Sequence, residues 1–306
     1  MIEYKELWGE VKQLYEQGMP SGDSTGWGSV DKHYTVAKGQ WTLVTGQPGH
    51  GKSEWVDALM VNLLRKDWNF IVWSAENLPQ SYHVTKLMEK ITGKPFSTGP
   101  TERMDDDDLV IGYDQVMANF HFVRPKDTGY SVQAITKLCS DFILKMDENA
   151  QERAWGDPKF KKWGLVIDPW NELEHNRPSH QSETEYISHS LSHIRAWARE
   201  WGVHVWIVAH PAKLQRDKEG KLPKPTPNDV AGSHHWWAKA DNAITIWRDT
   251  SAQTQVVEVL VQKIRFKHIG KPGVVELRYD KVTGRYFDIP KPVDIENYRR
   301  QANGED

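Results

Sequence analysis

Apolar residues along the chain gather into short continuous runs. "QWTLVTG" (40–46), "NFIVWSAE" (69–76), "NFHFVRP" (119–125), "WGLVIDP" (163–169), "VHVWIVAH" (203–210) and "AITIWRD" (243–249) each have the length of a strand. Helix-length segments such as 52–66 and 183–201 lie between most of them. Continuous apolar strands separated by helices predict an α/β fold, with a mostly parallel central sheet covered on both faces. From residue 255 the pattern changes. "QVVEVLVQKIRF", "GVVELRYD" and "GRYFDI" are strand-like and joined by short turns, so an antiparallel C-terminal extension is expected, with "DKVTG" (280–284) as a hairpin turn. Residues 1 to 18 read as an amphipathic helix, because Leu7, Val11 and Leu14 recur at helical spacing beside Trp8 and Tyr15. "GMPSGDSTGWGS" then breaks the pattern. The segment is either an arm on a short linker or an ordinary first helix packed on its own domain. The division expected is 1–21 for helix and linker, 22–290 for the main domain and 291–306 for a tail.

Composition narrows the function classes. The chain has 306 residues and a net charge of −3, so any nucleic-acid binding must come from a local basic patch. Cys139 is the single cysteine, which excludes an intramolecular disulfide and suits a reducing compartment. The N-terminus lacks a signal-type apolar core, and no run approaches the ~20 apolar residues of a membrane span. A cytoplasmic location is expected, with no membrane partner. "DDDD" (105–108) reads as a solvated helix start, since four adjacent side chains cannot converge on one ion.

The candidate chemistry begins at "GQPGHGKS". Gly46, Gly51, Lys52 and Ser53 satisfy the spacing of a phosphate loop, and the whole stretch Gly46, Gln47, Pro48, Gly49, His50, Gly51, Lys52, Ser53 is the candidate nucleotide cradle. Glycines let backbone N–H groups turn toward phosphate oxygens, Lys52 reaches the β and γ phosphates, and the Ser53 hydroxyl serves Mg²⁺. The strand "GLVIDP" ends in Asp168, which would hold the Mg²⁺ through a water or would merely cap a helix. Glu76 ends the strand 69–76. If that strand lies beside the phosphate loop's strand, Glu76 faces the γ-phosphate and can polarise a water, which means hydrolysis of ATP or another NTP. It reads otherwise as a surface acid. His210 ends strand 203–210 at the same sheet edge, where an imidazole can sense the γ-phosphate. Lys263 and Arg265 alternate in "VQKIRF" and so point the same way. They are either an arginine finger with its companion lysine, offered to a neighbouring subunit, or solvated surface cations.

In order and spacing these motifs resemble the helicase domain of DnaB-type replicative ring helicases, with the nearest likeness to Twinkle and phage T7 gene 4 primase–helicases. The resemblance covers residues 22 to 290. It is carried by "STGWGSVDKHYTVAKGQWTLVTGQPGHGKSEWVDAL", "SAENLP", "HVTKLMEKITGKPF", "VAGSHHWWAKADNAITIWRD" and "KIRF". It implies a RecA-like P-loop ATPase core in a hexameric, or heptameric, ring that moves 5′–3′ on single-stranded DNA and unwinds duplex. It also implies that Glu76 is the catalytic base, that Asp168 is the metal-water ligand and that His210 is the sensor. Lys263 and Arg265 match the pair supplied in trans, and Arg248 and Tyr279 fall where the nucleotide base is contacted. The sequence starts some twenty residues before the ATPase core, as either a stand-alone helicase or a fragment of a primase–helicase would; priming activity is not expected of it, and a separate primase or polymerase is an expected partner. Between Lys213 and Lys224 the chain holds five Lys/Arg and two Asp/Glu with turn residues, and the resemblance places such a loop in the ring channel. Lys213, Arg216, Lys221 and Lys224 are thus the candidate DNA contacts, against the alternative of a solvated surface loop. Two other classes share the phosphate loop. A RecA- or RadA-like recombinase would have the same fold and work as a filament. A small-molecule kinase is disfavoured by Glu76.

Overall fold

The computed structural model describes residues 4–124, 130–153, 162–212, 214–215, 218, 222–232, 234–250 and 254–290. Its helices are α1 (Tyr4–Gln17), α2 (Gly28–Asp31), α3 (Lys52–Leu63), α4 (Gln80–Thr92), α5 (Asp106–Asn119), α6 (Val132–Arg153), α7 (Glu183–Trp201) and α8 (His235–Lys239). Its strands are β1 (Trp41–Thr45), β2 (Trp68–Ser74), β3 (Phe120–Phe122), β4 (Lys162–Asp168), β5 (His204–Val208), β6 (Asn242–Trp247), β7 (Val256–Ile264), β8 (Gly273–Tyr279) and β9 (Tyr286–Asp288). They form one sheet in the order β3-β2-β4-β5-β1-β6-β7-β8-β9. The first six are parallel neighbours, and β7, β8 and β9 add on antiparallel, as the change of pattern at 255 predicts.

Side-chain alternation along the strands feeds two cores. On one face Val44, Val72, Val166, Val208 and Ile244 meet Trp55, Leu59 and Leu63 of α3 and Leu87 of α4. On the other, Leu43, Ile71, Leu165, Ile167, Val205 and Ile207 meet Ile135 of α6, Leu191 and Ile194 of α7 and Trp236 of α8. A strand buried on both faces must be apolar at every position, which is why these strands read as continuous runs. Asp105 caps α5 and Asp108 closes a capping box, so the acidic run is a helix start. The turn at 280–284 is closed by the Gly284 N–H donating to Asp280 O (2.8 Å).

α1 differs from the other helices. Leu7, Trp8, Val11, Leu14 and Tyr15 are all exposed. The chain joins the body at Asp23, whose carboxylate accepts from Lys162 (2.7 Å) and from the Trp68 indole N–H (2.8 Å). Among the described residues no helix is long and apolar enough to cross a membrane.

Candidate functional site

The phosphate loop leaves the C-terminal end of β1 and enters α3 at Lys52. Gly46 has φ +151°, and a Cβ there would lie 2.3 Å from the Ile246 carbonyl oxygen, so only glycine lets the loop lie against β6. Gly51, with φ +91°, starts α3. The loop is held on three sides. The Arg248 backbone N–H donates to His50 Nδ1 (3.2 Å), and Arg248 Nη2 donates to Gly49 O (3.0 Å). The His50 ring lies 4.5 Å from Trp247. The Tyr286 hydroxyl donates to Gly51 O (3.4 Å), with the Tyr279 ring 5.0 Å from that of Tyr286. Burial, then the nearby Lys52 and Arg248, pushes the His50 pKa down, which keeps Nδ1 an acceptor. Lys52 folds under the loop and donates to Gly46 O (3.0 Å) and Gln47 O (3.1 Å). Burial lowers its pKa, while Asp168 and Glu76 draw it back.

Asp168 ends β4 with its carboxylate 3% exposed. It faces the Ser53 hydroxyl and caps no helix, and burial raises its pKa to about 7. Its Oδ1 has no hydrogen-bond partner among the described residues. A buried acceptor without a partner costs about 1–3 kcal/mol. A divalent cation beside Ser53 would remove that penalty, so the donor set fits Mg²⁺.

Glu76 arrives by a different route from the one expected. Its strand β2 is not beside β1; β4 and β5 intervene. The turn after β2 crosses the sheet edge and is tied there by the Ala75 N–H donating to Asp168 O (3.0 Å). Glu76 Oε1 then lies 3.1 Å from His210 Nε2. The His210 N–H donates to Asn171 Oδ1 (2.9 Å). The turns after β2, β4 and β5 are thus linked at one edge, with Lys52 and Ser53 facing them.

Lys263 and Arg265 are not in this cluster. Both reach the C-terminal end of α8. Lys263 donates to Trp237 O and to Ala238 O (3.3 Å), and Arg265 Nη2 donates to Ala238 O and Ala240 O (both 3.3 Å). In register Lys263 faces Ala243 near the start of β6, while Arg248 follows its end. The basic loop is described only in part, and Lys213, Arg216 and Lys221 lie outside the described residues. Lys224 forms an ion pair with Glu258 of β7, which offsets its charge.

Behind the loop α3 and α4 share a charged seam that the sequence does not advertise. His83 Nε2 lies 2.9 Å from Asp57 Oδ1, both buried, and Glu54 pairs with Lys86 (2.6 Å) and Lys90 (2.7 Å). Burial alone would raise the Asp57 carboxyl and lower the His83 imidazole. Their mutual attraction outweighs it in both, holding Asp57 below and His83 above the ordinary value. Removing His83 would leave a buried carboxylate, a change that costs about 3–5 kcal/mol, whereas removing Asp57 would let the buried imidazole shed its proton.

Comparison with known proteins follows the same lines. The chain is 34% identical over 300 residues to the Twinkle homolog protein, chloroplastic/mitochondrial, of Arabidopsis thaliana. Its fold matches a DnaB-like replicative helicase, whose structure is described together with its interactions with primase, with a TM-score of 0.74 at 19% identity, covering 94% of this chain and 69% of that one. The chain is thus similar in sequence to a Twinkle homolog and shares its fold with a DnaB-like replicative helicase. A second solved structure, an ATPase domain, gives the same TM-score of 0.74 at 19% identity over 94% of this chain and 99% of that one. The RadB recombinase is more distant, with a TM-score of 0.54 at 14% identity over 87% of this chain and 99% of that one. No protein-family model matches the chain. The match to the plant Twinkle homolog takes in 95% of this chain and 40% of that protein, so this chain spans less than half the length of that relative.

Proposed function

We propose that this Twinkle-like chain is an ATP-dependent 5′–3′ replicative DNA helicase domain, a P-loop NTP hydrolase that works as a hexameric or heptameric ring on single-stranded DNA. One observation carries the reading. Lys52, Ser53, Asp168, Glu76 and His210 gather at one sheet edge, and Lys263 and Arg265 stand at the other. A subunit so built holds most of one hydrolytic site and the missing cations of a second. Ser53 and Asp168 would hold Mg²⁺, which supplies positive charge to the phosphate oxygens of ATP. Lys52 and the loop N–H groups would orient the triphosphate, Glu76 would take a proton from the attacking water, and His210 would keep Glu76 in place. Arg248 and Tyr279 flank the loop where a nucleotide base would lie. Lys213, Arg216, Lys221 and Lys224 would grip DNA phosphates from the channel, Lys224 after giving up Glu258.

The domain division fits this reading. Residues 22–290 would be the motor, 291–306 a tail, and 1–21 an arm carrying α1 to a neighbouring subunit. The exposed face of α1 matches an exposed apolar groove between α4 and α5, about 630 Å³ in volume and lined by Val84, Met88, Phe96, Leu109, Tyr113 and Met117. Removing residues 1–18 should shift rings to smaller species in sedimentation while ATP binding per chain survives. Tyr113→Glu, with the arm intact, should do the same. Unchanged sedimentation of both would detach the arm from assembly. A separate primase or polymerase is the proposed partner, and the cytoplasm, in keeping with the buried free thiol of Cys139, the proposed location.

The test is ATPase activity with and without single-stranded DNA, followed by displacement of a strand from a forked duplex. DNA should raise turnover, and displacement should require a free 5′ tail. The alternative is a RecA/RadA-like recombinase, favoured only by the lower-scoring likeness to RadB. It would give DNA-dependent filaments and strand exchange instead.

A further inference from the structure

Arg265 is engaged on one side. Its Nε lies 2.9 Å from Asp241 Oδ1, and Nη2 spends its hydrogens on Ala238 O and Ala240 O. Its Nη1 has no partner among the described residues, and the side chain is 31% exposed. Asp241 is fully buried. It also accepts from the Trp41 N–H through Oδ2 (3.3 Å), lies 3.7 Å from Arg199, and its own carbonyl takes the Arg265 N–H (2.9 Å). The backbone on both sides of this contact is fixed, by β1 through Trp41 and by the start of β6. An arginine held by an ion pair to a buried carboxylate and by two hydrogen bonds that it donates to backbone carbonyls presents its remaining edge in one direction, as planar recognition of a phosphate requires.

We propose that Asp241 is the positioning residue of the finger: a buried carboxylate that aims Arg265 at the nucleotide of the next subunit. The inference rests on the finger reading above. Asp241 touches no reacting atom; it acts through Arg265. Burial pushes its carboxyl upward, and the Trp41 N–H, Arg265 and Arg199 pull it back toward the charged form. The ion pair therefore couples the two residues, and a neutral amide at 241 would leave the guanidinium without its anchoring charge.

The experiment uses the full chain with single-stranded DNA. Asp241→Asn is close to isosteric and still accepts from Trp41. Its DNA-stimulated ATPase should fall about 10²-fold, the loss that a misplacement of about 1 Å can cause, with little change in the affinity for ATP. Mixed rings then separate positioning from a general defect, under conditions where labelled subunits are seen to exchange. Asp241→Asn chains mixed with Lys52→Ala chains should regain activity, because the latter supply a well-aimed Arg265 to an intact phosphate loop. Asp241→Asn chains mixed with Arg265→Ala chains should regain none, because every finger is faulty. Asp241→Ser, smaller and still an acceptor, takes the place of the amide if that variant loses ATP binding. Failure of rescue by Lys52→Ala, or rescue by Arg265→Ala, overturns the proposal. Full activity in Arg265→Ala overturns the finger reading and this inference together. An inactive Arg265→Ala beside a fully active Asp241→Asn overturns this inference alone.

Discussion

A Glu76→Gln chain is expected to bind ATP normally and to turn it over about 10²–10⁴-fold more slowly, the contribution typical of a positioned general base. Glu76 lies in a turn tied to Asp168 and sits against His210, so its geometry is set by two other strands. The amide keeps the size and a hydrogen bond to His210 but cannot take a proton from water. Binding should survive because the residues that hold phosphate, Lys52 and the loop N–H groups, belong to a different turn. Equilibrium binding of a fluorescent nucleotide and steady-state phosphate release measure the two separately. Lys52→Ala is the contrast, since it should weaken binding as well as turnover. Release by Glu76→Gln within twofold of the parent chain would remove Glu76 from the role of base.

An Arg265→Ala chain is expected to assemble, to bind ATP, and to lose DNA-stimulated hydrolysis by about 10³–10⁵-fold, the worth of an arginine finger. The argument is one of distance. The loop leaves the C-terminal end of β1, and Arg265 sits beyond the opposite end of the neighbouring β6. Five residues at about 3.3 Å each separate those edges by roughly 17 Å, farther than an arginine side chain reaches. Arg265 therefore cannot serve its own nucleotide, and in the proposed ring its loss would be felt across a subunit boundary. Sedimentation and nucleotide affinity should be unchanged, and single-turnover hydrolysis in preformed rings should carry the defect. Full DNA-stimulated turnover in this variant would leave the two cations as ordinary surface charges.

What the sequence discloses follows from how local each feature is. The phosphate loop is legible because its residues are contiguous and each has its own reason to be there. Asp168 is legible because a charge ending an apolar strand interrupts a pattern. The order of strands is not, since periodicity reports burial and not neighbours; that is why β2 stands apart from β1 while Glu76 still reaches the site. His83 and Asp57 stand 26 residues apart on two helices, and neither breaks a pattern strongly enough to suggest the other. Lys224 counts as a free charge along the chain, whereas its partner Glu258 lies 34 residues on in β7. Asn171 and Asp241 act through contacts made across turns, and a lone Asn or Asp in a loop carries no spacing that could mark it.

β6 has its two ends in different places of work. Arg248 follows it and holds the phosphate loop, while Asp241 precedes it and holds Arg265, the residue proposed to serve the neighbour. In the proposed ring, a lesion confined to one end spoils one interface per faulty chain, so active interfaces fall in proportion to the fraction of intact chains. A one-residue deletion inside β6 would turn every following side chain to the wrong face and spoil both. Active interfaces would then fall as the square of that fraction. A small admixture of such chains would poison the assembly more than the same amount of Lys52→Ala, and a β6 deletion carried beside a normal copy would behave as a dominant defect.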